Sequence, residues 1–415
     1  MLKFYVESDS KLRHLRQCPL GEHLEGFAGW LRASGYQRRP AQLALRGAAH
    51  LGHWATARGV PIERFDEEVL DAFARHLPTC ACAHAFQGHD DYHVAGAGRF
   101  IEHLRAVGVL PPIDAKPETV APFLKRFSDW MRHHRGVTES TLTNYMPLVK
   151  EFVASLGDDP ATYDTRRVRA FIFARASGRG AARAKSVVNA VRMFLRFLAV
   201  YGYCSPDLVA AVPGIAQWKL SSLPRYISAS AIEQLVATCD PTIAAGARDR
   251  AVILLLARLG LRAGDVRDLR LADVDWSRGR LRVVGKGRFE TWLPLPQDAG
   301  DAMLHYLEHF RPRFDDDHVF LRVYAPLGPL PSSGPLSKLV RRAIQRAGIE
   351  APSMGAHLLR HSAATEMLRQ GSSLDLIGAV LRHRCIESTA HYAKVDVTLL
   401  RSVAQPWPVE GVSPC

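Results

Sequence analysis

LRVVGKGRFETWLPL, from Leu281 to Leu295, is the stretch that breaks an otherwise helical pattern. Leu281, Val283, Phe289 and the run from Trp292 to Leu295 bracket Gly285-Lys286-Gly287 with a period of two. Alternate residues of a strand face alternate sides, and glycine supplies turn backbone, so the stretch predicts an antiparallel hairpin. Outward from it the helical period returns. Ala251–Leu259 reads as a buried helix that breaks at Gly260. SKLVRRAIQRAG, HSAATEMLRQG and SLDLIGAVLRH read as helices, the first two ending in glycine where a C-cap sits. This part of the chain is therefore α+β, with a small antiparallel sheet.

Two proline-bearing segments separate it from what precedes. PPIDAKPETVAP begins at Pro111, and VPGIAQWKLSSLPRY runs from Val212 to Tyr226. Three parts follow: 1–113, 116–220 and 225–415. The first two read as bundles of four or five amphipathic helices and share a pattern. FAGWLR from Phe27 matches FSDWMR from Phe127. Gly59, Asp66 and Phe73 match Gly157, Asp164 and Phe171, and Phe100, Leu104 and Gly108 match Phe194, Leu198 and Gly202. The first part thus reads as a duplicated copy of the second, and Trp30 and Trp130 as core residues. The fold class is mainly α: helical N-terminal bundles followed by the α+β part.

A length of 415 residues suits two or three domains, and an apolar content of 47% is ordinary for a globular protein. The formal charge of +13 suits a polyanionic partner. MLKFYVESDSKLRHL carries no apolar core of a secretory signal, and AVILLLARLGL is too short to span a bilayer and is interrupted by Arg258. Seven scattered cysteines fit a reducing compartment rather than a disulfide scaffold.

The third part carries an ordered set of cations and a phenol. Arg262 follows the helix break in LGLRAGDVRDL, and Lys286 sits at the hairpin turn. His357 and Arg360 fall on one helix face in HLLRH; His383 ends LRH, and Tyr392 follows in TAHYAKV. Breaking a phosphodiester by transesterification needs a hydroxyl to attack phosphorus, fixed positive charge for the non-bridging oxygens, and a proton for the leaving oxygen. Arginine's planar fork meets the second need, and lysine or histidine the third. A covalent intermediate divides the reaction into two easier steps, and enough preorganised cations make a metal unnecessary. The surrounding cations are expected to favour the ionised phenol.

This order of G-L-R, G-K-G, H-x-x-R-H, L-x-H and a tyrosine nine residues on resembles the tyrosine recombinase, or phage integrase, family. The resemblance covers about 225–400, and 116–220 resembles that family's core-binding domain, which clamps DNA. It implies that Tyr392 is the nucleophile and forms a 3′-phosphotyrosyl bond. Arg262 and Arg360 would grip the scissile phosphate, Lys286 would protonate the leaving 5′ oxygen, His357 would assist proton transfer at the tyrosine, and His383 would hydrogen-bond the phosphate. Asp265 stands where the family has an acidic residue and would orient Arg262. The chain departs from the family at Arg382, where glycine is usual; the local turn is expected to differ there, or Arg382 to add a phosphate contact. Implied partners are double-stranded DNA and further copies of the chain, as a homo-tetramer on two DNA sites. LLRSVAQPWP after the tyrosine is then a contact for a neighbouring subunit, and the setting is cytoplasmic and nucleoid-associated. No cofactor is implied.

The N-terminal part favours an enzyme that integrates, excises or transposes a mobile element. Resolution of chromosome or plasmid dimers, a type IB topoisomerase and an accessory DNA-binding protein with a relic site stay open. Among the remaining candidates, His361 reads as structural and His391 as a neighbour of the site. RRAIQRAG and TRRVRAF offer arginines for phosphate contact. TCACAHAFQGHDDYH holds Cys80, Cys82, His84, His89 and His93, all possible zinc ligands, but its C-x-C spacing is tighter than in usual structural zinc sites. A loop between helices, without metal, is the expectation there.

Overall fold

The computed structural model describes residues 1–80, 91–111, 122–178, 180–215, 224–284, 290–383 and 387–395. Two compact units emerge, one of Met1–Pro111 with Leu220–Cys415 and one of Pro112–Lys219. The chain is mainly helical with a small antiparallel sheet, the expected fold class.

In the first unit, helices Leu2–Tyr5, Asp9–Gln17, Gly21–Ala33, Arg38–Ala57, Glu67–His76 and Asp91–Ala106 enclose a core that includes Phe27, Leu45, Phe73 and Phe100. In the second unit, Pro122–Arg135, Glu139–Leu156, Thr165–Ala176, Ala181–Val200 and the short Asp207–Ala210 surround Phe127, Phe152, Phe194 and Phe197. The matched sequence positions take matching structural roles. Phe27 stacks with Trp30 at 5.9 Å and meets Phe100 edge-on at 5.2 Å. Phe127 stacks with Trp130 at 6.4 Å and meets Phe194 edge-on at 5.3 Å. Asp66 caps helix Glu67–His76 by accepting from Val69 N–H, and Asp164 caps Thr165–Ala176 by accepting from Arg167 N–H, each at 2.9 Å. Such a cap satisfies a backbone donor that the first helical turn leaves open, a contribution of about 1 kcal/mol.

The rest of the first unit has its own core, built around helix Ala244–Arg258, whose Ala251–Ala257 are all buried. Strands β1 (Val274–Asp275), β2 (Arg280–Val284) and β3 (Glu290–Pro294) form one antiparallel sheet in that order. Leu281 pairs with Leu293, and both are buried, while Arg282 pairs with Trp292 on the other face. Trp292 is exposed, with Arg280 stacked over its ring at 4.3 Å, so it does not join the core. The turn of the hairpin, with Lys286, lies outside the described residues. Helices Gln297–His309, Gly334–Arg346, Ala356–Arg369, Leu374–Leu381 and Glu387–Ala390 follow, and His391–Val395 is a 3₁₀ turn.

The two strand pieces Leu321–Arg322 and Gly328–Pro329 form a second, minimal hairpin. Its loop meets the turn after helix Gly21–Ala33: Leu327 N–H donates to Ser34 O at 3.0 Å, and Ala325 packs against the N-terminal core. Gly35 lies at φ +80, and a Cβ there would sit 2.4 Å from Leu327 Cδ1, so both the backbone angle and the docking select glycine.

Candidate active site

Arg360 organises the site. It lies on helix Ala356–Arg369 and is only 2% exposed, which is unusual for a guanidinium. Its Nη1 donates to Gly260 O and its Nη2 to Leu381 O. One side chain therefore ties the residue before Leu261-Arg262 to the residue before Arg382-His383. Gly260 has φ +57, and a Cβ on it would sit 2.6 Å from Leu381 Cδ2, so this junction requires glycine. Burial, and next the charge of Arg262, lower the pKa of Arg360 to about 10, which leaves it charged at neutral pH. Ser362, two residues on, accepts from Ile227 N–H at 3.0 Å and anchors the chain entry to the same helix.

Arg262 is the N-cap residue of helix Ala263–Arg267, and its backbone N–H donates to Asp265 at 2.9 Å. Its guanidinium donates to Arg382 O at 3.3 Å. Asp265 was expected to orient Arg262, and the contact it makes is with the backbone. It also forms an ion pair with the Arg382 guanidinium.

Arg382 itself keeps the turn that glycine would make. It is the C-cap of helix Leu374–Leu381 at φ 54, ψ 50, and among the described residues no other non-glycine has positive φ. The expected change of turn does not occur. The left-handed backbone costs an ordinary side chain about 1–2 kcal/mol, and Asp265 supplies the counter-charge to a guanidinium that is over nine-tenths buried and whose Nε and Nη1 meet no hydrogen-bond partner among the described residues. Two outcomes follow. Arg382→Ala keeps the strain and loses the pair, while Arg382→Gly loses the pair but relieves the strain. Urea unfolding should find the glycine variant more stable than the alanine variant by about 1 kcal/mol.

The four-residue helix Glu387–Ala390 and the 3₁₀ turn bring Tyr392 back onto this centre. The ring is 2% exposed and packs with Ala364, Ile377 and Leu381. Its Oη lies 2.8 Å from His361 Nδ1. His361, which the sequence marked as structural, is thus the histidine that touches the phenol. His357 is one helical turn away, ring to ring at 4.6 Å from His361, and reaches solvent. His383 lies parallel to the tyrosine ring with centroids 6.3 Å apart, and its Nδ1 is engaged by Thr389 Oγ1 at 2.8 Å. That leaves Nε2 as the nitrogen able to meet a phosphate oxygen. His391 stands with its ring 6.3 Å from that of His361.

The electrostatics suit an anion. Burial, and after it His357, bring the His361 pKa to about 4; burial, and after it Arg360 and Arg262, do the same for His383. Crowding by protein atoms, then Arg360 and Arg262, also lower that of His357. All three are neutral at pH 7. The Tyr392 pKa is raised, because burial outweighs the charge of Arg360; this reverses the expectation that cations alone would favour the phenolate. Folded-state pKa values depressed below the ordinary 6.5 mean that the unfolded chain binds more protons between pH 6.5 and 4. Stability is then complete above pH 6.5 and falls as pH drops toward 4. The melting temperature at pH 5 should lie below that at pH 7.5, and exchanging His361 for a non-titrating residue should shrink the difference.

Among the described residues, neither group of His, Cys, Asp or Glu side chains close enough together to hold a metal ion lies at this centre. Of the cysteine-rich segment, Cys82, His84 and His89 lie outside the described residues, whereas Cys80 and His93 are placed in the N-terminal bundle.

Comparison with known proteins agrees with the fold. The phage integrase family model matches residues 225–398. The integrase/recombinase y4rA of Sinorhizobium fredii is 36% identical over 99% of this chain and 100% of its own length. Tyrosine recombinase XerD of Listeria monocytogenes is 28% identical over 68% of this chain and 96% of its own. A lambda integrase dimer bound to a COC′ core site has TM-score 0.53 at 20% identity, covering 70% of this chain and 98% of that one. XerH bound to difH in a post-cleavage complex has TM-score 0.52 at 17% identity, covering 87% and 94%. With a buried tyrosine set against His361 and a relative matched along its full length, the chain belongs to the phage integrase family, the tyrosine recombinases.

Proposed function

We propose that this DNA strand transferase moves a mobile element, with Tyr392 as its nucleophile. The observation that carries the chemistry is the Tyr392 hydroxyl set against His361 Nδ1 and beside the His383 ring, with the charge of Arg360 acting on it. The phenol transfers its proton to neutral His361 Nδ1 as Oη attacks phosphorus. The P–O5′ bond breaks, a 3′-phosphotyrosyl bond forms, and the 5′ oxygen takes a proton from Lys286. Arg262 and Arg360 hold the non-bridging oxygens, His383 donates to one of them, and His357 serves as the outer partner of His361. The free 5′ hydroxyl of a second strand reverses these steps, so bond energy is conserved without a nucleotide cofactor. A phosphodiester supplies the negative charge this cationic centre lacks, which raises the proton affinity of His361 when DNA is bound.

Two features support the mobile-element reading over dimer resolution. The relative named integrase/recombinase aligns with the N-terminal bundle as well, whereas the XerD match spans about two thirds of the chain. The N-terminal bundle also repeats the aromatic and capping pattern of the second, so we infer that it is a duplicated core-binding unit. The domains are then 1–113, 116–220 and 225–415. Double-stranded DNA is the substrate and a homo-tetramer on two sites the assembly. The segment LLRSVAQPWP, outside the described residues, would be the subunit contact, and the cytoplasm the setting. Among the described residues no helix is long and apolar enough to cross a membrane.

Nicked suicide duplexes cut from the DNA flanking the gene test this. The expected result is a detergent-resistant protein–DNA adduct whose DNA-bearing peptide contains Tyr392. Recombinant product should require two sites, whereas a topoisomerase would relax a plasmid carrying one. Failure of every flanking duplex to give an adduct, with DNA binding intact, would leave an accessory DNA-binding protein instead.

A further inference from the structure

The N-terminal bundle gathers a second set of donors, remote in sequence from the tyrosine. His50 is on helix Arg38–Ala57 and is fully buried, with the Phe73 ring edge-on at 5.2 Å. His76 ends helix Glu67–His76, and Cys80 follows the 3₁₀ turn Leu77–Thr79. Ligand atoms of these three residues all lie within 4.8 Å of one another. Cys80 Sγ is 3.4 Å from His50 Nε2, and the His50 and His76 rings stand 5.7 Å apart, edge to face. We propose that His50, His76 and Cys80 ligate a structural zinc ion.

Three arguments support it. The donor chemistry is one thiol and two imidazoles, which suits zinc rather than calcium or magnesium. The distance fits as well: zinc–sulfur and zinc–nitrogen bonds of about 2.3 and 2.05 Å at a tetrahedral angle place the two ligand atoms about 3.6 Å apart. Finally, the residues come from separate stretches. His76 and Cys80 lie four apart across the turn, and His50 comes from another helix, so an ion here would pin two helices of a small bundle to each other. His93, 5% exposed on helix Asp91–Ala106, stands with its ring 5.7 Å from that of His50 and is the described side chain offered for a fourth position. The sequence alone paired Cys80 with its neighbours in the chain and missed His50 and His76, because the grouping is made by helix packing. The tighter-than-usual C-x-C spacing then ceases to count against a metal, since only Cys80 of that pair is required.

The full chain, purified after expression in zinc-supplemented medium without chelators, is the material for the test. About one zinc per chain is expected by elemental analysis. Replacement by cobalt(II) should give the absorption of a tetrahedral ion with a thiolate-to-cobalt charge-transfer band. Cys80→Ser should lose that band, and His76→Ala, altered at a partly exposed position, should bind zinc at least tenfold more weakly in competition with a chelator. Should a variant fail to fold, the cobalt spectrum of the unaltered chain decides alone, before and after alkylation of Cys80 in metal-free protein. Only trace metal in the purified chain together with no charge-transfer band on cobalt addition overturns the site. Full zinc retention by a folded Cys80→Ser chain overturns it too, and points to another cluster such as Asp316–Asp317–His318.

Discussion

Tyr392→Phe is expected to abolish covalent capture of DNA while leaving the fold and the affinity for DNA close to those of the unaltered chain. The ring keeps its packing against Ile377 and Leu381 and its parallel placement beside His383, because only the hydroxyl is removed. What is lost, among the described residues, is the hydrogen bond to His361 Nδ1, a cost of about 1 kcal/mol. The chemistry loses its nucleophile altogether, and the covalent route has no substitute for it. Suicide-duplex trapping should therefore fall to background, with gel-shift affinity within about threefold and the urea midpoint little changed. Adduct formation by the phenylalanine variant would remove Tyr392 from its role, and would point to another phenol.

The second large effect is expected at Arg360. Truncation to alanine strands the carbonyls of Gly260 and Leu381, both in a buried setting, at about 1–3 kcal/mol for each unmet acceptor. The same change removes one of the two guanidiniums that would hold the developing phosphate charge, a loss on the order of 10²–10³-fold in rate for one preorganised donor. Arg360→Lys separates the two contributions. It restores a positive charge, but a single ammonium cannot span two carbonyls and a phosphate as a planar fork does. Lysine should thus recover part of the stability and little of the single-turnover cleavage rate. A lysine variant that cleaves within tenfold of the unaltered chain would show that charge alone suffices at this position.

How far the sequence carried these conclusions differs from residue to residue. The two strands of the hairpin follow from their period of two, whereas Arg262, Arg360, His383 and Tyr392 were singled out because the order of their motifs resembles the tyrosine recombinase family. His357 was given the proton-transfer role and His361 read as structural, although four residues on a helix leave both on one face. Which of them meets the phenol depends on how the segment from Glu387 to Val395 folds back, and that is a tertiary fact. The turn at Arg382 was misjudged for a related reason. Its ion-pair partner, Asp265, lies 117 residues earlier in the chain, and no local rule exposes a pair of that span. The net effect on the Tyr392 proton was misjudged as well, since cations can be counted in a sequence and burial cannot.

The docking of Leu327 on Ser34 and Gly35 bears on how this chain could be recombined as a gene. A bundle joined only by a linker could be exchanged between relatives as a cassette. This one is keyed to a loop encoded almost three hundred codons downstream, so a graft of residues 1–111 onto a foreign catalytic part brings the lock without its key. Successful chimaeras should carry the Leu321–Pro329 hairpin along with the bundle, and variation at Gly35 and Leu327 should track together among functional hybrids.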